Sequence, residues 1–247
     1  MPLQVKKILI AGASSDLAAD LIRRLSDDPA LCLGLHYDTN GAALAGYRES
    51  AHLKRLQKHL ATDRDCYGLV DAFVDFAHGI DCLIQLTGDV RRPVAWEELM
   101  HEDWEHDLAA NLITPFFLAQ RAISHMRRTG GRIILMSTAS ASHGGGSSSL
   151  AYGVAKAGIE CLVKGLARDC APDNILVNAV APGFIETKFH TRKMKKTADE
   201  LRQRVQLVPM KRAGTTAEFA GAILFLLSEG AAYITGQTLT IAGGDWL

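Results

Sequence analysis

The stretch KKILIAGASSDLA, residues 6–18, decides the fold class of this chain. Its apolar run Ile8–Ala11 is typical of a short buried strand, and a helix is predicted to follow through Leu25. The turn between them, Gly12–Ser15, contains only small residues. Because the first N–H groups of a helix are unpaired and its dipole is positive there, such a turn can receive a pyrophosphate. The alternative is an ordinary turn in which a serine caps the helix.

Short apolar runs alternate with helix-length segments along the rest of the chain. The runs that predict strands are Leu31–Leu35, Cys82–Leu86, Ile133–Met136, Ile175–Val180 and Thr238–Ile241. This alternation indicates a parallel sheet with helices on both faces. Right-handed crossovers place the carboxyl ends of the strands, and therefore a ligand crevice, at one edge. No linker or repeat divides residues 1–247, so we expect one α/β domain.

The composition favours a small molecule as the partner. The 247 residues include 27 Lys and Arg and 27 Asp and Glu, with 48% hydrophobic and 22% charged residues. A chain without net charge has no global field that attracts nucleic acid or a membrane surface. Neither is therefore expected as a partner.

The lack of a signal-peptide pattern and the spacing of the cysteines both indicate a reducing compartment. The first apolar run stops at Ser14 and Asp16, too early for a signal peptide, and no 18-residue apolar stretch exists. The five cysteines have no Cys-x-x-Cys or metal-ligand spacing, so we expect reduced thiols and no metal site. The protein is expected to be cytoplasmic.

A second motif lies on a segment that we expect to be helical. Tyr152 and Lys156 are four residues apart, so they project from one face of a helix as neighbours. Free tyrosine titrates near 10, and an ammonium about 4 Å away can bring its pKa towards neutrality. The pair can therefore form an acid–base catalyst.

Further motifs occur in a fixed order. They are Gly12, Trp104, Asn111-Leu112, Gly131–Ile134, Tyr152 with Lys156, Asn178–Thr187 and Thr235–Gln237. In order and spacing they resemble the short-chain dehydrogenase/reductase family, and Pro182–Thr187 resembles the 3-oxoacyl-acyl-carrier-protein reductases. The resemblance covers essentially the whole chain. It implies a single-domain Rossmann-type, doubly wound sheet and hydride transfer between NAD(P)H and a carbonyl or alcohol.

The resemblance assigns catalytic roles to three residues directly. Tyr152 would exchange a proton with the substrate oxygen. Lys156 would lower the pKa of Tyr152 and bind the nicotinamide ribose. Asn111 would kink its helix and anchor a water of a proton relay, whereas a buried asparagine bonded to backbone is the alternative.

A fourth catalytic residue follows from alignment on Gly131. Thr138 then stands where the family has a serine that orients the substrate carbonyl. A threonine hydroxyl can donate the same hydrogen bond. Ser137 and Ser140 are the alternatives, because the register before Tyr152 differs by one residue.

The residues that the resemblance assigns to the cofactor include most strand ends. They are Gly12, Ser14, Ser15, Asp16, Leu17, Asp38, Leu60, Thr87, Gly88, Tyr152, Lys156, Pro182, Gly183, Ile185 and Thr187. The sequence departs from the family pattern where Asp16 and Ala18 replace glycines and Leu86 replaces a polar residue. A carboxylate suits a helix N-terminus, but it could repel the pyrophosphate.

Asp38 bears on the choice between NAD and NADP. It lies about twenty residues beyond the turn, where a carboxylate binds a ribose diol and repels a 2′-phosphate. Family members that use NADP usually have a basic residue there or at Ser15. NAD(P)H is therefore expected, with a slight preference for NAD, although Asp38 could instead cap a helix. His59, where an aspartate usually brackets adenine, is expected to be a surface histidine.

The segment 188–211 occupies the family's variable substrate lid. It carries a cluster of five basic side chains, His190, Arg192, Lys193, Lys195 and Lys196. This cluster could bind a phosphopantetheine or an acidic carrier, and a solvated charged helix is the alternative. The leading hypothesis is reduction of a 3-oxoacyl thioester on acyl carrier protein or CoA. An alcohol, sugar or ring-ketone dehydrogenase and a non-catalytic Rossmann-type binding protein are the alternatives.

The resemblance also implies a homo-oligomer, and a homotetramer with two-fold axes is expected. The terminal segment Leu239–Leu247 is too apolar for a free tail. A closed symmetric assembly could bury it against a second copy.

Overall fold

A seven-stranded sheet forms the centre of the computed structural model, which describes residues 3–245. The strands are β1 Lys7–Ala11, β2 Cys32–Tyr37, β3 Leu53–Gln57, β4 Cys82–Gln85, β5 Gly131–Met136, β6 Ile175–Pro182 and β7 Thr238–Ile241. All neighbours pair in parallel, in the order β3-β2-β1-β4-β5-β6-β7. The strands predicted from apolar runs are all present in this sheet.

Helices cover both faces of the sheet. They are α1 Ala19–Ser26, α2 Asp63–Ala77, α3 His101–Leu108, α4 Thr114–Met126, α5 Leu150–Cys170, α6 Phe189–Arg192, α7 Ala198–Leu207 and α8 Thr216–Leu226. Helices α1 and α8 pack on one face, and α2, α4 and α5 pack on the other. The predicted Rossmann-type, doubly wound parallel sheet is confirmed. Among the described residues, no helix is long and apolar enough to cross a membrane.

Strand β1 shows why an unbroken apolar run predicts a central strand. Successive side chains of a strand point to opposite faces. Ile8 and Ile10 belong to the core beneath α1 and α8, whereas Leu9 and Ala11 belong to the core beneath α2, α4 and α5. All four side chains are fully buried. Both faces of the strand therefore require apolar residues.

Strand β3 is not predicted by the apolar pattern. Its five residues include Lys54 and Arg55, and only Leu53 and Leu56 are buried. β3 pairs with β2 alone and forms one edge of the sheet. An edge strand is partly solvated, so it tolerates charged side chains that a central strand would exclude.

A crevice opens at the carboxyl ends of β1 and β4, where the order of the strands reverses. β1 pairs with β2 on one side and with β4 on the other. Gly12 follows β1 with a φ of 84°, and a Cβ at this position would lie 2.7 Å from the amide nitrogen of Thr87. Only glycine fits so close to the neighbouring backbone. In open α/β sheets this reversal is where ligands bind.

Candidate active site

Helix α5 carries Tyr152 and Lys156 one turn apart beside this crevice. The side chain of Lys156 is fully buried, and its Nζ donates a hydrogen bond of 2.8 Å to the carbonyl oxygen of Met136 at the end of β5. The same Nζ lies 5.6 Å from the centre of the Tyr152 ring. Tyr152 keeps part of its surface exposed to the cleft. The two side chains thus lie on one face of the helix.

Burial controls the pKa values of the pair. It lowers the pKa of Lys156 to about 7, because a buried ammonium loses its hydration. It also raises the pKa of Tyr152 to about 12, although a hydrogen bond with Thr138 partly offsets this increase. The spacing predicts a lowered pKa for Tyr152, and the structure shows the opposite. The reason is that Lys156 directs its hydrogen bond to Met136 and does not offset the burial of the phenol.

Thr138 provides a second hydroxyl next to Tyr152. It follows β5 and is partly buried, and its side chain is hydrogen-bonded with Tyr152. The Oγ1 of Thr138 lies 3.2 Å from the Oγ of Ser140 and 3.5 Å from the carbonyl oxygen of Pro182. Thr138 and Ser140 both line the cleft.

Ser137 is used inside the fold. Its side chain is fully buried. Its Oγ lies 2.8 Å from Oε1 of Glu160 and 3.2 Å from the carbonyl oxygen of Lys156, so it bonds to α5. Of the three hydroxyls considered from the sequence, that of Ser137 is therefore the one that does not line the cleft.

Asn111 is fully buried in a π turn between α3 and α4. Its Nδ2 donates to the carbonyl oxygens of Asp107 at 2.8 Å and Asp89 at 2.6 Å, and its Oδ1 accepts the N–H of Asp89 at 3.2 Å. These bonds fasten the loop after β4 to the helix. A Cβ on Gly88 would lie 2.9 Å from this Oδ1 and 3.6 Å from the Nζ of Lys156. Glycine therefore allows Asn111 and Lys156 to share one corner.

The turn after β1 contains a buried polar atom without a partner. The Oγ of Ser15 makes no hydrogen bond within the described part of the chain, and it does not cap the helical turn Asp16–Ala18 that follows. Ser15 therefore occupies the cap position of this turn without a cap bond from its side chain. A buried hydroxyl costs free energy unless something accepts its hydrogen bond. This turn, at the start of a helical segment, fits a phosphate oxygen.

His36 supports the same turn from β2. The N–H of Gly12 donates to its Nδ1 at 3.1 Å, and its Nε2 lies 2.9 Å from the carbonyl oxygen of Lys58. Because Nδ1 accepts, Nε2 carries the proton and donates to Lys58. Burial lowers the pKa of His36, so the ring is neutral. His36 thereby joins the ends of β1, β2 and β3, a role that the sequence did not indicate.

A cleft of about 690 Å³ runs along this edge of the sheet. The predicted site residues that line it are Ser14, Ser15, Asp16, Leu17, Gly88, Thr138, Tyr152, Pro182, Gly183, Ile185 and Thr187. Lys156 and Asn111 are buried beside it. Gly12, Asp38, Leu60 and Thr87 do not line it. One cleft thus joins the turn after β1 to the hydroxyls of Tyr152 and Thr138.

Comparison with known proteins identifies the family. A family model described as enoyl-(acyl carrier protein) reductase matches residues 38–245. The 3-oxoacyl-acyl-carrier-protein reductase FabG of Vibrio cholerae is 30% identical over 249 residues, which cover 100% of both chains. The chain belongs to the short-chain dehydrogenase/reductase family. It is therefore an NAD(P)-dependent oxidoreductase.

Other relatives agree with this membership. The 3-oxoacyl-acyl-carrier-protein reductase FabG of Aquifex aeolicus is 36% identical over 182 residues, which cover 73% of this chain and 68% of the relative. The solved structure of the short-chain dehydrogenase/reductase from Serratia marcescens BCRC 10948 superimposes with a TM-score of 0.87. It is 28% identical, and both chains are covered completely.

In this family member, Asp38 contacts a histidine. Its Oδ2 lies 3.0 Å from Nδ1 of His59, which is exposed, as expected. The next helical turn begins at Gly41, and its cap residue is Asn40, which makes no side-chain cap bond. The alternative of Asp38 as a helix cap is therefore wrong.

Leu60 and Thr87, which the resemblance assigns to the cofactor, contact other parts of the fold. Leu60 packs against the core beneath α2. Thr87 accepts a hydrogen bond of 2.8 Å on its carbonyl oxygen from Nε2 of Gln85. Gln85 is fully buried, and its Oε1 also lies 3.4 Å from the amide nitrogen of Met136. Gln85 therefore fixes the ends of β4 and β5, and a glutamine inside an apolar run was the signal for this role.

Aromatic rings of residues 184–190 continue from the ring of Tyr152. The ring of Phe189 lies 6.5 Å from that of Tyr152 and 5.8 Å from that of His190, which in turn lies 4.7 Å from Phe184. Burial lowers the pKa of His190. Burial thus disfavours the charged form of the His190 ring, which packs between Phe184 and Phe189. Residues outside the predicted site set that also line the cleft include Asn40, Val90, Gln203 and Leu207.

Proposed function

We propose that this enzyme uses NAD(P)H to reduce the ketone of a 3-oxoacyl thioester carried by acyl carrier protein or CoA. The observation that carries the proposal is the pair of hydroxyls, Tyr152 and Thr138, that face one cleft beside the buried amine of Lys156. The names of the relatives from Vibrio cholerae and Aquifex aeolicus support this substrate class.

The cofactor, when bound, supplies the hydride, and the protein supplies the proton. Tyr152 has a raised pKa, so its hydroxyl is protonated at neutral pH, which is the form that a proton donor requires. The hydroxyl of Thr138 donates a hydrogen bond to the same carbonyl oxygen as negative charge develops there. Lys156, with a pKa of about 7, gains and loses its proton near neutral pH, and its hydrogen bond to Met136 keeps this amine beside the phenol.

The residues near the first turn fit the pyrophosphate of the cofactor. Ser15 offers its unbonded hydroxyl, and Ser14 and Leu17 line the same end of the cleft. A carboxylate at Asp38 and the absence of a basic side chain at position 15 support a slight preference for NAD.

The charge of the lid supports an anionic substrate. Residues 188–211 contain eight Lys or Arg and two Asp or Glu, although the chain has no net charge. Arg192, Lys193 and Lys196 line the cleft, and Lys193 and Lys196 also pair with Asp89 and Glu200. A cationic rim raises the local concentration of anions and binds phosphate oxygens. A phosphorylated pantetheine arm or an acidic carrier protein fits this chemistry.

We further infer one domain with a substrate lid at 188–211, a cytoplasmic location and a homotetramer. Exposed apolar side chains support the assembly: Ile113, Leu150 and Val154 lie near the start of α4 and on α5, and Phe225 lies on α8. Residues Trp246 and Leu247 of the apolar terminal segment lie outside the described residues. Apolar side chains exposed on the helices of both faces offer more than one surface on which copies of the chain could pack.

The deciding experiment measures oxidation of NADH and NADPH with a panel of thioesters. Acetoacetyl-CoA and acetoacetyl-acyl-carrier-protein test the proposal, and the matching crotonyl thioesters test an enoyl reductase, which the description of the family model favours. Turnover of acetoacetyl but not crotonyl thioesters is expected. The reverse result would establish the enoyl activity. Sugar and ring ketones are the remaining members of the panel, and binding of neither cofactor would indicate a non-catalytic protein.

A further inference from the structure

Two carboxylates at the carboxyl edge of the sheet contact the lid. Asp16, in the turn after β1, accepts a hydrogen bond of 2.8 Å on its Oδ2 from the N–H of Lys188. Asp89, in the loop after β4, has its Oδ1 2.6 Å from the Nζ of Lys193. Lys188 and Lys193 are the residues immediately before and after helix α6. Each end of α6 is therefore fastened to a different strand end.

Helix α6 depends on such contacts for its position. It has only four residues, and a single helical turn is not stable by itself in water. The Asp89–Lys193 pair is partly exposed, and such a pair is weak when isolated. Two contacts on one short segment reinforce each other, because the first removes most of the conformational freedom that the second would otherwise have to restrict.

The fastened segment carries Phe189 to the catalytic tyrosine. Phe189 is the first residue of α6, and its ring lies 6.5 Å from the ring of Tyr152. A phenyl ring so close to the partly exposed Tyr152 can exclude water from one side of it. Water in the site would compete for the hydrogen bonds that Tyr152 and Thr138 direct at a carbonyl.

We propose that Asp16 and Asp89 are positioning residues that hold the lid closed, so that Phe189 covers Tyr152. The proposal rests on the proposed function of the cleft as a reductase site. It also gives Asp16, which replaces a glycine of the family pattern, a partner in the protein. Asp89 also has an imidazole as a neighbour, because Nε2 of His106 lies 3.8 Å from its Oδ2.

Hydrogen exchange of the full-length protein tests the first contact without any activity. Asp16→Ala removes the acceptor, and the amide of Lys188 is expected to exchange at least tenfold faster. Asp16→Asn keeps a carbonyl oxygen at the same place, so exchange near the wild-type rate is expected. Lys195→Gln removes a cation from the same segment, for which the described residues provide no ion-pair partner, and serves as the matched control. Equal exchange at Lys188 in Asp16→Ala and wild type overturns the proposal.

Exchange in β5 and β6 separates a local effect from general destabilisation. These strands are buried at the centre of the fold, so their amides should be unchanged in Asp16→Ala. If they accelerate together with Lys188, Asp16 supports the whole fold, and its role as a specific fastening of the lid is rejected.

A double-mutant cycle tests the second contact. Asp89→Asn and Lys193→Gln are each expected to lower kcat by threefold to tenfold. The kcat of the double variant should be no lower than that of the less active single variant. Charge exchange, Asp89→Lys with Lys193→Asp, should restore part of the loss. Additive effects without rescue reject the pairing. A chain that turns over no carbonyl substrate would refute the proposed function, and the exchange experiment would still decide whether the lid is fastened.

Discussion

The Nζ atom of Lys156 lies over the ring of Tyr152, 5.6 Å from its centre, while its hydrogen bond goes to the carbonyl oxygen of Met136. The lysine is thus held by the end of β5 and not by the phenol. Either side chain of the pair can therefore be replaced while the other keeps its place, which makes their roles separable by mutation.

Tyr152→Phe removes the proton donor and keeps the ring. We expect turnover to fall by about a hundredfold or more, because general acid catalysis contributes roughly that factor. The affinity for NADH and NADPH should change little. Steady-state kinetics and a fluorescence titration measure both quantities, and turnover within threefold of wild type would remove Tyr152 from the mechanism.

Lys156→Met is expected to abolish activity and to stabilise the fold at pH 6. Burying an ammonium that has one hydrogen bond is costly, and an apolar side chain of similar length avoids this cost by about 1 to 4 kcal/mol. Chemical unfolding of both proteins at pH 6 gives the difference. A variant less stable than wild type would show that the bond to Met136 outweighs the burial of the charge.

The same pair of proteins should show a pH dependence of known sign. The pKa of Lys156 is about 7 in the folded chain and near 10.5 when unfolded. Between these values the unfolded chain binds the proton and the folded chain does not, so stability rises with pH. From pH 7 to pH 10 the stability of wild type should therefore rise relative to that of Lys156→Met. A constant difference across this range would mean that Lys156 stays charged.

Thr138→Val keeps the shape of the side chain and removes its hydroxyl. If Thr138 orients the carbonyl, kcat/KM should fall by the factor that corresponds to a loss of about 2 kcal/mol of transition-state stabilisation. Ser140→Ala is the matched control and should have a smaller effect. Damage by Ser140→Ala alone would transfer the role to Ser140. Ser137→Ala, which breaks a buried bond to Glu160, should affect stability more than kinetics.

Most strands of the sheet could be predicted from the apolar pattern of the sequence. β1, β2 and β4 to β6 follow from apolar runs, because a strand covered on both sides excludes charge. β7 is predicted as well, although it forms the other edge of the sheet and none of its residues is buried. β3 could not be predicted, since its Lys54 and Arg55 reflect an edge position that only the completed sheet defines.

The candidate site, too, could be predicted only in part. The spacing of Tyr152 and Lys156 places both on one face of α5, but the pKa of Tyr152 depends on burial, which no spacing reveals. The contacts of Asp16 and His36 join segments far apart in the chain. Such partners become visible only when the strand ends converge.

Cofactor preference should respond to charge near Asp38. Asp38→Ser combined with Ser15→Arg removes a carboxylate together with its contact to His59 and adds a cation at position 15. The ratio of the Kd values for NADPH and NADH should move towards NADPH by at least tenfold, about 1.4 kcal/mol. Tighter binding of NADPH than NADH by tenfold in wild type would contradict the preference for NAD.

The assembly can be measured directly. Light scattering at micromolar concentration should give about four times the chain mass of 26.7 kDa. Val154→Glu introduces a charge on an exposed apolar position of α5 and should dissociate the tetramer. A monomeric wild type would refute the assembly.

The hydrogen bond between Asp16 and Lys188 spans 172 residues of sequence. A chain emerging from the ribosome can pair β1 with β2 and β4 early. The partner of Asp16, Lys188, is synthesised only after more than three quarters of the protein. Contacts of such long separation form late in folding, because their loops are the most costly to close. Newly made chains should therefore acquire a complete sheet centre well before they can turn over substrate.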